Sequence, residues 1–183
     1  RLTTNAFVVG GLRADIFPEL ERKVWELLDL MPERIQDYED LLTGNRIWTQ
    51  RTKGIGMLSK EDALAMGVTG PPLRGSGVGL DLRKAQPYSS YEDFSFDVPV
   101  SDRCDTFGRY EVRMEEMRQI LHIIRQVMEK MPSGEIRGKV PRNIKAPAGE
   151  AAMYVEGPKG QVAFHIVSTG GNGPYRLRIR PPC

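Results

Sequence analysis

Asp15 is the carboxylate whose setting could support chemistry. It follows the pair Gly10-Gly11 and the short apolar run of residues 6–14, at a bend before a helix. Paired glycines permit positive φ and close backbone approach. A carboxylate at that bend caps the following helix in the plain structural reading. In the functional reading it faces a cavity and holds or relays a proton, because burial raises carboxylate pKa values. Spacing alone favours the cap. Arg74, Asp81 and Arg83 lie in a glycine-punctuated stretch. Their plain reading is an ion-pair network that holds a long irregular loop; the alternative is an anion or partner contact.

The remaining reactive side chains are sparse. His122 falls mid-helix beside the apolar seam and His165 lies between Phe164 and Ile166, so both read as structural. Two histidines without a cysteine cluster make no zinc site. Cys104 and Cys183 give neither a disulfide framework nor metal-ligand spacing, and a reducing compartment is the default. Cys104 reads as a small apolar group on a helix. There is no Gly-x-Ser-x-Gly elbow, P-loop or dinucleotide fingerprint, which argues against a self-contained enzyme.

The elements that must position these residues are legible in the periodicity. Over 18–43, Leu20, Val24, Leu27, Met31, Ile35, Tyr38 and Leu42 recur at spacings of three and four, which predicts a helix. Pro18 suits its first turn, and Pro32 predicts a kink or a break. A second long helix is predicted from about 103 to 131. Its seam is Phe107, Tyr110, Met114, Met117, Leu121, Ile124, Met128 and Met131, capped by Ser101 or Asp102. The two helices pack side by side, with 45–100 as the crossover. Within it, 59–66 is a short helix capped by Ser59, 69–79 is a restricted Gly/Pro loop, and 80–100 is extended or irregular.

The C-terminal quarter changes period. Tyr175, Leu177 and Ile179 alternate with Arg176, Arg178 and Arg180; 161–168 is β-rich, and Ala151–Glu156 is strand-compatible. Gly157-Pro158-Lys159-Gly160 is a turn with proline second. These predict a three-stranded antiparallel meander. Residues 137–183 hold eight Lys/Arg against Glu150 and Glu156, a basic module on an acidic body. Tyr154, Phe164 and Tyr175 are too few to suggest base stacking, so no nucleic-acid partner is expected. The expected fold class is α+β, mainly helical: two long packed helices with an irregular crossover, plus a small three-stranded antiparallel sheet at the C-terminus. The organisation expected is a helical body over 1–132, a linker loop over 133–149 and a β appendage over 150–183. The chain begins with Arg1 rather than Met and ends on Cys183, so a fragment of a longer subunit is expected.

Several stretches, taken in order, resemble one family. They include Phe7-Val-Val-Gly-Gly-Leu-Arg-Ala-Asp15, Leu41-Leu-Thr-Gly-Asn-Arg-Ile-Trp48, Leu73-Arg-Gly-Ser-Gly77 and Asp81-Leu-Arg-Lys84. Further on come Phe96-Asp-Val-Pro-Val100, Glu115-Glu-Met-Arg118, Gly157-Pro-Lys-Gly160 and Ile179-Arg-Pro-Pro182. The chain resembles the D-type subunit of the proton-pumping NADH:quinone oxidoreductase, respiratory complex I, from its first residue to its last. The resemblance implies the middle of that subunit, without the N-terminal His-Arg-Gly segment and tyrosine that meet the quinone.

It also implies a place in the peripheral arm, at the cytoplasmic face of the membrane and without crossing it. The partners implied are the other subunits, above all the small subunit that bears the terminal iron–sulfur cluster. Quinone is the substrate, FMN and the clusters sit on partners, and this chain binds no cofactor or metal. The family's aspartate that pairs with a quinone-site histidine falls on Asp15, with Gly10 and Gly11 as the bend presenting it. Two departures stand out: Leu12-Arg13-Ala14 replaces a commoner tripeptide, and many members carry a longer insertion near 133–149. The isolated fragment is expected to be inactive. The alternatives are a relative of the nickel–iron hydrogenase large subunit, in which Cys183 would begin a metal-binding pair, and a purely structural assembly subunit.

Overall fold

A computed structural model describes residues 6–141 and 143–182. Cys183 and Arg142, on which the hydrogenase alternative and part of the basic tail depend, lie outside the described residues. The described chain opens with a minimal hairpin, β1 (Phe7–Val8) and β2 (Gly11–Leu12), turned at Gly10 with φ +92°. Helix α1 (Pro18–Leu42) follows, then four short helices: α2 (Arg46–Thr52), α3 (Lys60–Ala65), α4 (Pro71–Arg74) and α5 (Leu82–Ala85). The long helix α6 (Thr106–Lys130) leads into β3 (Gly149–Gly157), β4 (Gly160–Ser168) and β5 (Arg176–Arg180). The last three form an antiparallel sheet in the order β3-β4-β5, as the alternation predicted.

The two long helices pack together, burying only part of each expected seam: Ile35 on α1, and Phe107 and Met114 on α6. On α1 the buried positions are Leu28 and Ile35, whereas Leu20, Leu27 and Tyr38 are 40%, 46% and 43% exposed. Adjacent apolar stripes on a helix lie only one residue, about 100°, apart, and packing against a single neighbour selects one. On α6 the buried set is Phe107, Gly108, Val112, Met114 and Ile123. This helix is covered on two sides, which a single seam does not describe. One side meets α1 and α2: the Trp48 and Tyr110 rings sit edge-on with centroids 5.7 Å apart, and Arg118 reaches Glu39 at 2.6 Å. The other side meets the crossover, where Gln119 accepts from Asp97 N and Gln126 bonds Ser95 in both directions.

Pro32 does not break α1, which runs unbroken from Pro18 to Leu42. Proline removes one backbone hydrogen bond, and the flanking buried Leu28 and Ile35 hold the helix to its neighbour. The α6 cap is neither Ser101 nor Asp102 but Asp105, whose carboxylate accepts from Gly108 N at 2.7 Å. The earlier residues are docked on the crossover: Ser101 N donates to Arg74 O and Cys104 N to Gly75 O. Cys104 therefore lies before the helix, half-buried at φ +58°, rather than on it. Residues 80–100 are not wholly irregular, since α5 and a 3-10 turn at Tyr91–Asp93 fall within them. Ser59 caps α3 as predicted, accepting from Asp62 N at 3.0 Å.

Candidate functional site

The hairpin, the start of α1 and the chain leaving α6 converge on one cavity of about 400 Å³. Leu12, Asp15 and Ile16 form one side of it, and the stretch 131–136 forms the other. Apolar carbon dominates the walls through Leu12, Ile16, Met131, Pro132 and Ile136, and Asp15 and Glu135 supply polar edges. Asp15 does not cap α1. The N-cap is Phe17, which makes no side-chain capping bond, and Pro18 opens the helix with no N–H to satisfy. The Asp15 carboxylate is exposed and accepts from Ile16 N at 2.8 Å through Oδ1.

Gly10 and Gly11 have a function at this bend that spacing does not reveal. Residues 136–138 lie along β2 as an extra extended segment: Leu12 N donates to Ile136 O and Gly138 N to Gly10 O, both at 2.9 Å, with a bridge between Gly11 and Arg137. A Cβ on Gly10 would lie 2.2 Å from Val140 Cγ2, and one on Gly11 2.3 Å from Ile136 O. At Gly11 glycine is required because the other backbone passes too close for a side chain, and at Gly10 the Val140 side chain occupies the space. The stretch expected to be a free linker is, at this end, a strap across the hairpin.

Arg74, Asp81 and Arg83 do come together, in a buried network away from the cavity. The Arg74 side chain is 2% exposed and meets Glu116 at 2.5 Å, Glu156 at 3.0 Å and Asp81 at 3.7 Å. Arg83 meets Asp81 at 2.6 Å. Burial pushes Asp81 upward, but the hydrogen bonds and charge of Arg83, aided by Arg74, outweigh it and hold the carboxyl below its usual range. For Glu116 burial wins over Arg74, and its pKa is raised. Tyr88 closes the network from outside, accepting from Glu156 N at 2.9 Å and donating to Glu156 O at 3.3 Å. Two guanidiniums against three carboxylates, all internally partnered, make a structural clamp. Sequence reasoning does not include Glu116 and Glu156 in it; the Glu115-Glu-Met-Arg118 stretch hints at the first, and nothing local marks the second.

The histidines keep structural settings: His122 is exposed, and His165 pairs with Glu150 on the sheet. Among the described residues no group of three His, Cys, Asp or Glu is placed to hold a metal ion, and no helix is long and apolar enough to cross a membrane.

The family described as the respiratory-chain NADH dehydrogenase 49 Kd subunit matches residues 1–143 and 138–183. The chain is 47% identical over 182 residues to a D-type subunit of the NADH-quinone oxidoreductase of Solibacter usitatus, covering all of this chain and 49% of that relative. It is 44% identical over 207 residues to the D-type subunit of the NADH-quinone oxidoreductase of Geobacter metallireducens, covering all of this chain and 53% of that relative. Among solved structures, a chain of the membrane-bound sulfane sulfur reductase, an archaeal respiratory membrane complex, superposes with a TM-score of 0.90 at 38% identity. That match covers 96% of this chain and 49% of the other. The chain spans about half the length of the curated relatives it matches. It belongs to the family of the respiratory-chain NADH dehydrogenase 49 Kd subunit.

Proposed function

We propose that this member of the family forms part of the quinone-reduction site of an NADH:quinone oxidoreductase, with Asp15 as the residue that handles protons there. The observation that carries the reading is the cavity: an apolar cleft about the size of a small ring system, with a carboxylate held at its edge by the hairpin bend. Reducing a quinone to a quinol takes two electrons and two protons. A positioned carboxylate orients or relays one of those protons, in partnership with a histidine from elsewhere in the parent subunit. The electrons would come from an iron–sulfur cluster on the small partner subunit, fed in turn by FMN on another. Gly10 and Gly11 shape the backbone that presents Asp15.

In this reading the chain comprises a helical body over 1–132, a connection over 133–149 and a β unit over 150–183. It sits on the cytoplasmic side of the membrane, in a complex with the other subunits. The fragment alone is inactive, because the remainder of the cavity belongs to the rest of the subunit and to its partner. A second reading draws on the 0.90 TM-score to a sulfane sulfur reductase complex: the same scaffold serving a sulfur-based acceptor. Purification of the tagged full-length protein from native membranes, with mass spectrometry of its partners and parallel quinone and polysulfide reduction assays, separates the two. Co-purification of a flavin subunit and the cluster-bearing subunit, with NADH-driven quinone reduction, supports the first reading. Polysulfide reduction without quinone reduction supports the second.

A further inference from the structure

We infer that the strap over residues 131–140 selects the acceptor at the Asp15 cavity, and that Ile136 is its specificity-determining side chain. The inference rests on the quinone-site reading above and adds a wall to it. The strap supplies one whole side of the cavity, from Met131 to Ile136. It cannot recede, because hydrogen bonds at Leu12–Ile136 and Gly10–Gly138 pin it to the hairpin on both sides of Arg137. Neither Gly10 nor Gly11 leaves room for a Cβ beneath it. This wall, with Met131, Pro132 and Ile136 apolar beside Glu135, stands opposite Asp15 and fixes the width available to a planar ring whose polar edge faces Asp15.

The strap also ends where the family's match is interrupted. The Geobacter metallireducens relative aligns over 207 residues, while this chain has 183 and the Solibacter usitatus relative aligns over 182. The family's match falls into two stretches that meet at 138–143, immediately after the pinned segment. Residues inserted at that break would extend the chain where it leaves the cavity wall. Strap length and the Ile136 side chain together set which ring fits.

The test uses the full-length subunit in its assembled complex, purified from native membranes. KM and kcat are measured with a short-tailed benzoquinone and a short-tailed naphthoquinone. Ile136→Ala is expected to change the ratio of the two kcat/KM values by about ten-fold, chiefly through KM, because apolar pocket contacts discriminate by this order. A graft that replaces 138–143 with the corresponding connection of the Geobacter metallireducens relative is expected to shift the same ratio by about three-fold or more. If Ile136→Ala does not assemble, Ile136→Val reads the same ratio at smaller amplitude. Ratios unchanged in assembled complexes carrying either the substitution or the graft overturn the strap's role. Asp15→Asn keeps the two claims apart: lost turnover with both quinones upholds the quinone-site reading whatever the strap does, and full turnover removes both.

Discussion

Arg74 and Glu156 stand 82 residues apart in the chain, yet their side chains meet at 3.0 Å, 2% and 6% exposed. Through Arg74 the crossover is tied to the sheet, and through Glu116 the same guanidinium is tied to α6. Arg74 also donates to Leu80 O at 2.8 Å, which holds the loop that carries it. One buried cation thus fixes three segments with no continuous secondary structure in common. Arg74→Met leaves three buried carboxylates to Arg83 alone. The expected cost is about 3–5 kcal/mol of unfolding free energy, as for breaking a buried pair from one side, measured as a lowered urea midpoint. A loss below about 1 kcal/mol, the scale of an exposed pair, would remove the clamp's structural role.

Asp105 gives the fold an acid-sensitive joint. Its two oxygens accept from Gly54 N and Gly108 N at 2.8 and 2.7 Å. Burial works upward on its pKa, but these bonds, with Arg103 and Arg109, outweigh it and hold the carboxyl below its usual range. The native state then binds this proton less readily than the unfolded chain does. The stabilisation is complete above the ordinary carboxylate pKa of about 4 and is lost as pH falls through the lower native value. Unfolding midpoints from pH 7 down to 3 are expected to fall less steeply for Asp105→Asn than for the unaltered protein. Parallel slopes would assign the acid response to other groups.

Glu116 acts with the opposite sign. Burial raises its pKa despite Arg74, so its contribution is largest when it is protonated and declines as pH rises through the raised value. The stability of Glu116→Gln relative to the unaltered protein is expected to improve across that rise. A pH-independent difference between the two would contradict the assignment.

Gly11 allows a direct test of the strap's attachment. At φ +145°, with Ile136 O 2.3 Å from where a Cβ would stand, Gly11→Ala forces the two backbones apart. The expected cost is about 1–3 kcal/mol, confined to the hairpin. It is read as lost hydrogen-exchange protection at the Leu12 and Gly138 amides. Unaltered protection at both amides would show that the strap does not depend on this contact.

The parts of the fold legible in the sequence are those with local causes. Ser59 with Glu61 and Asp62 marks the start of α3, Gly157-Pro158-Lys159-Gly160 marks the turn between β3 and β4, and the alternation at 176–180 marks β5. The long helices are legible as helices and their buried faces only in part, through Ile35, Phe107 and Met114, because a 3.6-residue period does not say how many neighbours a helix has. The cap of α6 is hidden because Ser101 and Asp102 have the right chemistry, and only the docking of 101–104 on Gly75 and Arg74 removes them from the helix. The partners of Arg74 are illegible for a different reason: Glu116 and Glu156 lie 42 and 82 residues away. At the site, Asp15 stands out by its glycine pair. The strap opposite does not, since backbone-to-backbone bonds between residues 10–12 and 136–138 leave no side-chain pattern.

In the proposed quinone site Asp15 handles protons, and the most direct measurement is quinone reduction by the assembled complex carrying Asp15→Asn in its full-length subunit. Asparagine preserves size and hydrogen bonding but neither holds nor relays a proton. The expected outcome is intact assembly, unchanged NADH oxidation by an artificial acceptor that takes electrons at the flavin, and a loss of about a hundred-fold in quinone turnover, the lower range for general acid–base catalysis. Quinone turnover at the unaltered rate in a fully assembled complex would contradict it.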